Sequence, residues 1–411
     1  MADVTKKIGL SLGADICWPI CYEHIMRDLD LNIAYKGDQV RFQVERVSIE
    51  PYSLQQECSY HLVIDRLTHW FHTSREWIKK SILLDDLYVF NHPWALQSME
   101  KQTTYTAMMR LGMPVPETWM LPPKNYEPSP DLEPTLRQYA RLFDLESIGA
   151  RVGYPCFIKP YDGGGWAGVR KIDNAEQLRE AYDASGKSVM MLQKGVLPHD
   201  YFVRCIGLGP QLRVVNYKPE KPLHDRYGLE QDFLSAEDES VLADMTYTIN
   251  AFFGWDFNSC EALLQDGAWI PIDFANACPD SQVTSLHYHF PWLIKANIRW
   301  SVFCATVGRR KSANLDFRPY FDIAADGDRP WRERLRAYGE QARKDFQADE
   351  FEEFCDKHLG HLDEVADHFF STDEARDAVH KKVVALYPEH EHEQFTELFW
   401  QRIQKYRQEA R

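Results

Sequence analysis

The 411-residue chain lacks any uninterrupted apolar run long enough to cross a bilayer, and the apolar stretch before Asp15 is too short for a secretory signal. It also lacks basic charge: 47 Lys and Arg stand against 62 Asp and Glu, and the formal charge of −15 is spread along the chain. That balance argues against a nucleic-acid or anionic-membrane surface and leaves room only for a local basic site. Nine cysteines at scattered positions give no disulfide framework, and Cys17 with Cys21 has no second pair to complete a zinc site. No internal repeat is visible. These absences predict a reduced, cytoplasmic protein with a small-molecule ligand and with neither a nucleic-acid nor a membrane partner. Length and an ordinary apolar fraction allow two or three domains.

Strand and helix patterns alternate through the first 95 residues. Ile8 to Leu12, Asn32 to Tyr35, Val40 to Ile49, Tyr60 to Ile64 and Leu87 to Phe90 read as strands, with helices at Trp18 to Leu29 and Arg75 to Leu83. This predicts a small α/β domain. A helix is expected from Trp94 to Leu111, stopped by Gly112 and Pro114, with Asn91 as a cap and Lys101 inside it; alone, such a lysine reads as a solvated surface residue. After the proline-rich passage Pro122 to Pro134, Leu136 to Val152 repeats apolar residues at helical spacing.

The stretch that follows carries chemistry. Cys156 to Lys159 reads as a short strand bearing one lysine, and it runs into a loop with glycine at 163, 164, 165 and 168. Glycines leave backbone amides free to converge on anionic oxygens, and Lys159 adds a point charge, so the segment suits a phosphate. Val189 to Leu192 reads as a buried strand opening into Gln193, Lys194, Gly195 and Val196, with Asp200 just before another strand, Tyr201 to Leu208. Gln211 to Tyr217 makes a partner strand ending at Lys218.

Asp266-Gly267 between two alternating apolar runs signals a hairpin. A three-residue loop, Asp266 to Ala268, would set Gln265 opposite Trp269 and Glu261 opposite Asp273 on one face; a two-residue turn would offset the acids by one. Facing carboxylates repel unless a cation lies between them, and with the amide oxygen of Asn276 they make an all-oxygen set suited to magnesium. From about Trp331 to Arg411 the chain reads as charged amphipathic helix, with breaks near Ser371 and Pro388, whose faces are solvated or serve as a packing or homo-oligomer surface.

In this order and at these intervals, the lysine in a helix, the strand lysine with its glycine loop, the strand ending before an acid and the carboxylate hairpin resemble the ATP-grasp superfamily. The resemblance spans roughly Lys101 to Asn276. It implies an α/β (α+β) ATP-grasp fold with a preceding small α/β domain, residues 1–95, an ATP-grasp domain, 96–315, and a C-terminal helical extension, 316–411. It further implies that Lys101 and Lys159 contact ATP phosphates, that Gly163, Gly164, Gly165 and Gly168 form a lid, and that Gln193, Lys194 and Val196 hold adenine. By the same resemblance Asp200 holds the ribose, Lys218 is a third phosphate lysine, and Glu261, Asp273 and Asn276 bind magnesium, with manganese as its substitute. The sequence departs from the family pattern twice. Two residues instead of one separate Asp273 from Asn276, and the arginine expected two residues before the first metal acid is replaced by Ser259, which leaves Arg204 or Arg213 to steady an acyl phosphate. The implied activity is an ATP- and magnesium-dependent ligase joining a small-molecule carboxylate to an amine, releasing ADP and phosphate. The alternatives are a small-molecule kinase with the same ATP site, or a nucleotide-binding regulatory protein with an inactive grasp.

Overall fold

The computed structural model describes residues 2–11, 13, 15–48, 50–67, 71–96, 100–162, 167–276, 278–310 and 316–410. The chain folds as two compact units: Met1–Gln97 with Arg204–Ser259 and Ala277–Arg411, and Ser98–Val203 with Cys260–Asn276. No described helix is long and apolar enough to cross a membrane.

The first unit opens with a five-stranded sheet, β1 (Asp3–Ser11), β2 (Asn32–Tyr35), β3 (Asp38–Arg46), β4 (Leu62–Asp65) and β5 (Tyr88–Phe90), in the order β2-β3-β1-β4-β5. β1 runs parallel to β3 and β4, and β4 parallel to β5, with β2 and β3 as an antiparallel hairpin. The α/β pattern expected for the first 95 residues is therefore present, and the buried run Leu62 to Ile64 is what a strand covered on both faces requires. Asn91 does not cap a helix. Its amide donates to the Phe257 carbonyl at 2.6 Å and its carbonyl accepts from the Phe257 amide at 3.0 Å, so it mimics a strand neighbour. The C-terminal part of this unit is helical, Arg318–Ala325, Trp331–Phe346, Ala348–His358, Leu362–Phe369, Asp373–Val384 and His392–Glu409. The expected breaks fall where Thr372 caps the fifth of these helices and where Pro388 precedes the sixth.

The second unit is built on β6 (Thr118–Leu121), β7 (Cys156–Pro160), β8 (Arg170–Ile172) and β9 (Met190–Lys194), an antiparallel sheet in the order β6-β9-β7-β8. Helices Leu145–Val152 and Ala175–Asp183 cover one face, where Cys156, Ile158, Met190 and Leu192 join Val152 and Leu178 in the core. Because strand side chains alternate, Phe157, Lys159, Met191 and Gln193 must project to the other face. The continuous helix expected over Leu136 to Val152 is two helices, Leu132–Tyr139 and Leu145–Val152; Asp144 accepts from the amides of Glu146 and Ser147 and starts the second. Lys101 likewise begins a helix, Lys101–Arg110, in place of lying within one that starts at Trp94; a separate short helix is Pro93–Leu96.

A further sheet, β10 (Tyr201–Leu208), β11 (Gln211–Asn216), β12 (Phe257–Gln265) and β13 (Ala268–Asp273), has the order β11-β10-β12-β13 and is divided between the units. The β12–β13 hairpin from Cys260 onward belongs to the second unit. Its turn has two residues, not three: Gln265 pairs with Ala268, and Asp266 and Gly267 take φ of 51° and 74°, the left-handed pair that closes a tight hairpin.

Candidate nucleotide and metal site

A two-residue turn alone would pair Glu261 with Ile272. Instead the register shifts between Glu261 and Ala262, so that Ala262 faces Pro271 and Glu261 faces Asp273. Ile272 is the extra residue of a β-bulge. The carboxylates thus meet as expected, but through the bulge and not through a longer turn. Glu261 is buried and Asp273 partly so.

The bulge has a second effect. Left out of the ladder, the Ile272 carbonyl accepts from the Lys159 ammonium at 3.2 Å and from the Tyr105 hydroxyl. Lys159, 7% exposed, also donates to Tyr105 Oη and to Gln193 Oε1, each at 2.9 Å. Gln193 lies diagonally across β7 and β9 from Lys159 on the same sheet face, and its amide nitrogen donates to Thr118 Oγ1 at 2.9 Å. Burial pulls the Lys159 ammonium below its ordinary range, against the opposing pull of Asp273 and Glu261.

Lys101 is buried too, so it is not the solvated helix lysine that its surroundings in the chain would suggest. Its backbone amide donates to the Tyr161 carbonyl at 3.1 Å, which ties the helix start to the end of β7, and its Nζ lies 3.6 Å from Asp273 Oδ2. Tyr105 follows Lys101 by one helical turn and shares its buried face. That spacing was visible in the sequence, yet nothing in the residue type pointed to it, and Tyr105 was missed. Its ring meets Phe274 edge-on at 5.1 Å, and burial pushes its ionisation well above the ordinary range, so it stays a neutral hydroxyl.

The remaining candidates are placed less closely. Gly163, Gly164 and Gly165 lie outside the described residues. Gly168 takes a φ of +72°, and a Cβ there would come within 2.9 Å of Pro160 Cγ, so this position requires glycine. Lys194 and Asp200 are exposed at the end of β9 and before β10, while Val196 is buried; the Asp200 amide donates to the Leu264 carbonyl at 2.8 Å. Asn276 sits in coil beyond β13, half-buried, and the bulge that exists falls before Asp273, not between Asp273 and Asn276. Among the described residues no group of three His, Cys, Asp or Glu could hold a metal ion; Glu261 and Asp273 are a pair.

Arg204, Arg213 and Lys218 belong to the first unit. The Arg204 guanidinium stacks 4.5 Å from the Tyr217 ring centre and donates to Tyr227 Oη at 2.5 Å. His289 donates from Nε2 to the Gly228 carbonyl at 2.7 Å, which leaves Nδ1 to accept from Arg213 Nε at 3.2 Å. Burial, with Arg213 beside it, lowers the His289 pKa to about 3, in keeping with a neutral ring. Lys218 pairs with Glu230.

A four-stranded antiparallel sheet with a buried lysine and a hairpin of facing carboxylates occur in one unit, preceded in the chain by a small α/β sheet. The chain is thus a mixed α/β fold with several sheets and a C-terminal run of helices. No model of a known protein family matches the chain. A D-alanine–D-alanine ligase of Synechococcus sp. is 36% identical over 69 residues, 16% of this chain and 19% of that protein. A second, of Heliobacterium modesticaldum, is 26% identical over 107 residues, 25% of this chain and 28% of its own. The chain thus spans only 19% and 28% of the length of these two relatives. Among solved structures, the D-alanine–D-alanine ligase of Bacillus anthracis complexed with ATP aligns with a TM-score of 0.48 at 11% identity, over 74% of this chain and 99% of that one.

Proposed function

We propose that the protein is an ATP- and magnesium-dependent ligase that joins a small-molecule carboxylate to an amine through an acyl phosphate. The observation that carries this reading is the meeting, in one unit, of two buried lysines with two facing carboxylates. Phosphoryl transfer asks a protein for alignment and charge neutralisation more than for covalent groups, and this set provides both. Lys159 and Lys101 would hold the nucleotide phosphates, and the loop ending at Gly168 would cover them. The donor set fits magnesium: two carboxylates face each other, one of them buried, and such a pair is an all-oxygen donor set for a hard cation. Glu261 and Asp273 would hold the ion, which when bound neutralises charge on the transferred phosphoryl group. Asn276 would be a third oxygen donor by the resemblance, from which its spacing to Asp273 departs by one residue.

In the reaction, a substrate carboxylate oxygen bonds to the γ-phosphorus as the bond to ADP breaks. The amine nitrogen then bonds to the acyl carbon, phosphate leaves, and the nitrogen loses a proton. Closure of the glycine loop would keep water from the acyl phosphate between the steps. Lys218 would be a third lysine at the phosphates by the resemblance, and Arg204 or Arg213 would steady the acyl phosphate in place of the arginine that Ser259 replaces. The local matches to D-alanine–D-alanine ligases support a ligase and leave the acid and the amine unnamed. The test is a panel of amino acids, small acids and amines assayed for ADP and free phosphate. A ligase releases both only when acid and amine are supplied together; phosphate retained on a single acceptor identifies a kinase, and ATP binding without turnover on any pair refutes the ligase.

A further inference from the structure

We propose that Tyr105 is a positioning residue that frees Lys159 to turn from the protein toward a nucleotide phosphate, an inference that rests on the ATP-site reading above. An ammonium has three donors, and all three of Lys159's are taken: by Tyr105 Oη at 2.9 Å, Gln193 Oε1 at 2.9 Å and the Ile272 carbonyl at 3.2 Å. Contact with a phosphate therefore requires that at least one of these bonds be given up. The three acceptors are not equivalent. Gln193 Oε1 accepts from Lys159 while its amide nitrogen is already held by Thr118, so losing Lys159 costs it that donor. The Tyr105 oxygen can lose a bond it accepts while still donating the one it makes. The Ile272 carbonyl, left out of the ladder by the bulge, is the decisive case: Tyr105 already donates to it, so it stays satisfied when Lys159 leaves.

The hydroxyl is held for this task. Its ring packs edge-on against Phe274, and its helix is anchored at Lys101 to the Tyr161 carbonyl. Without the hydroxyl, the Ile272 carbonyl would lose both of its side-chain donors when Lys159 turned away. The cost appears in nucleotide affinity and appears only when Lys159 is present.

The test is a double-mutant cycle on the full chain, with ATP and magnesium as the probe in thermal-shift titrations carried to millimolar nucleotide. Tyr105→Phe should weaken binding roughly 3- to 10-fold, the worth of about one hydrogen bond, when Lys159 is present. In the Lys159→Ala background the same change should shift binding less than about 2-fold. An equal effect in both backgrounds would mean that Tyr105 acts on the nucleotide or the fold independently of Lys159, and would overturn the proposal, as would parental affinity in Tyr105→Phe. If the parent protein itself binds no ATP with magnesium, the ATP-site reading fails and takes this inference with it, an outcome distinguishable from an additive cycle. Should Tyr105→Phe lose its folded circular-dichroism spectrum, Tyr105→Met, close in volume and without a hydroxyl, goes through the same cycle.

Discussion

Removing the Lys159 side chain is the most direct test of the site. In Lys159→Ala three protein acceptors lose a donor. The Ile272 carbonyl keeps Tyr105 and the Tyr105 oxygen keeps its donated bond, so the largest loss is the bond to the buried Gln193 Oε1, about 1–3 kcal/mol. Against this, the substitution relieves the burial of a charge, which already pulls the lysine below its ordinary range. The two effects oppose each other, and stability should change by no more than about 1 kcal/mol. Binding has no such compensation. The nucleotide phosphates lose a cation in a desolvated site, a loss of about 2–4 kcal/mol or roughly 30- to 1,000-fold in affinity. Calorimetric titration with ATP and magnesium, beside thermal unfolding of the same samples, separates the two quantities. A variant that binds nucleotide as tightly as its parent, with unfolding unchanged, would show that Lys159 faces no phosphate.

Glu261→Ala and Asp273→Ala should each abolish turnover while leaving the circular-dichroism spectrum unchanged, because each removes one of the two opposed carboxylates; ordinary magnesium-dependent ADP release in both would move the metal elsewhere. Asn276→Ala should cost far less in the same assay than Asp273→Ala, since no bulge brings Asn276 back toward the strand. Gly168→Ala should lower turnover and nucleotide affinity together, because its left-handed backbone and the 2.9 Å approach to Pro160 both oppose a side chain; parental ADP release would argue that this part of the loop does not cover the phosphates. In the first unit, burial raises the Asp15 pKa from 3.8 to about 6. A raised acid pKa means that the native state holds its proton longer, so stability is lost as pH rises from about 4 to about 6. Asp15→Asn should therefore stabilise by up to ~3 kcal/mol above pH 7 and by little at pH 4, read from denaturant unfolding at the two pH values.

Much of the second unit was legible because its chemistry is local. A lysine on a strand of alternating character must face away from the helices if Cys156 and Ile158 face them, and glycines beyond it announce a loop without side chains. Helix boundaries were less so. The sequence from Trp94 to Leu111 is apolar at helical spacing, but the Lys101 amide is bound by Tyr161 from a different strand, a tertiary contact that spacing cannot reveal. Asn91 fits a cap by residue type and is used instead as a strand mimic against Phe257, for the same reason. Tyr105 escaped notice because a tyrosine one turn after a lysine is indistinguishable in sequence from an ordinary core aromatic; only the bulged carbonyl above it gives the hydroxyl a task.

The hairpin shows how a correct pairing can follow from an incorrect turn. Asp266-Gly267 closes the tightest loop its residues allow, which by alternation would have put Glu261 and Asp273 on opposite faces. The bulge at Ile272 corrects the register by one residue at the end of the strand where the acids are needed, so the turn satisfies local backbone preference and the site is set independently of it. Because the same extra residue presents its carbonyl to Lys159 and Tyr105, the facing of Glu261 and Asp273 and the placement of Lys159 depend on one backbone irregularity. Deleting Ile272 would then do more than remove a half-buried side chain. It would carry Asp273 out of register with Glu261 and take an acceptor from Lys159 at once, whereas Ile272→Val, which keeps the backbone, should leave both intact.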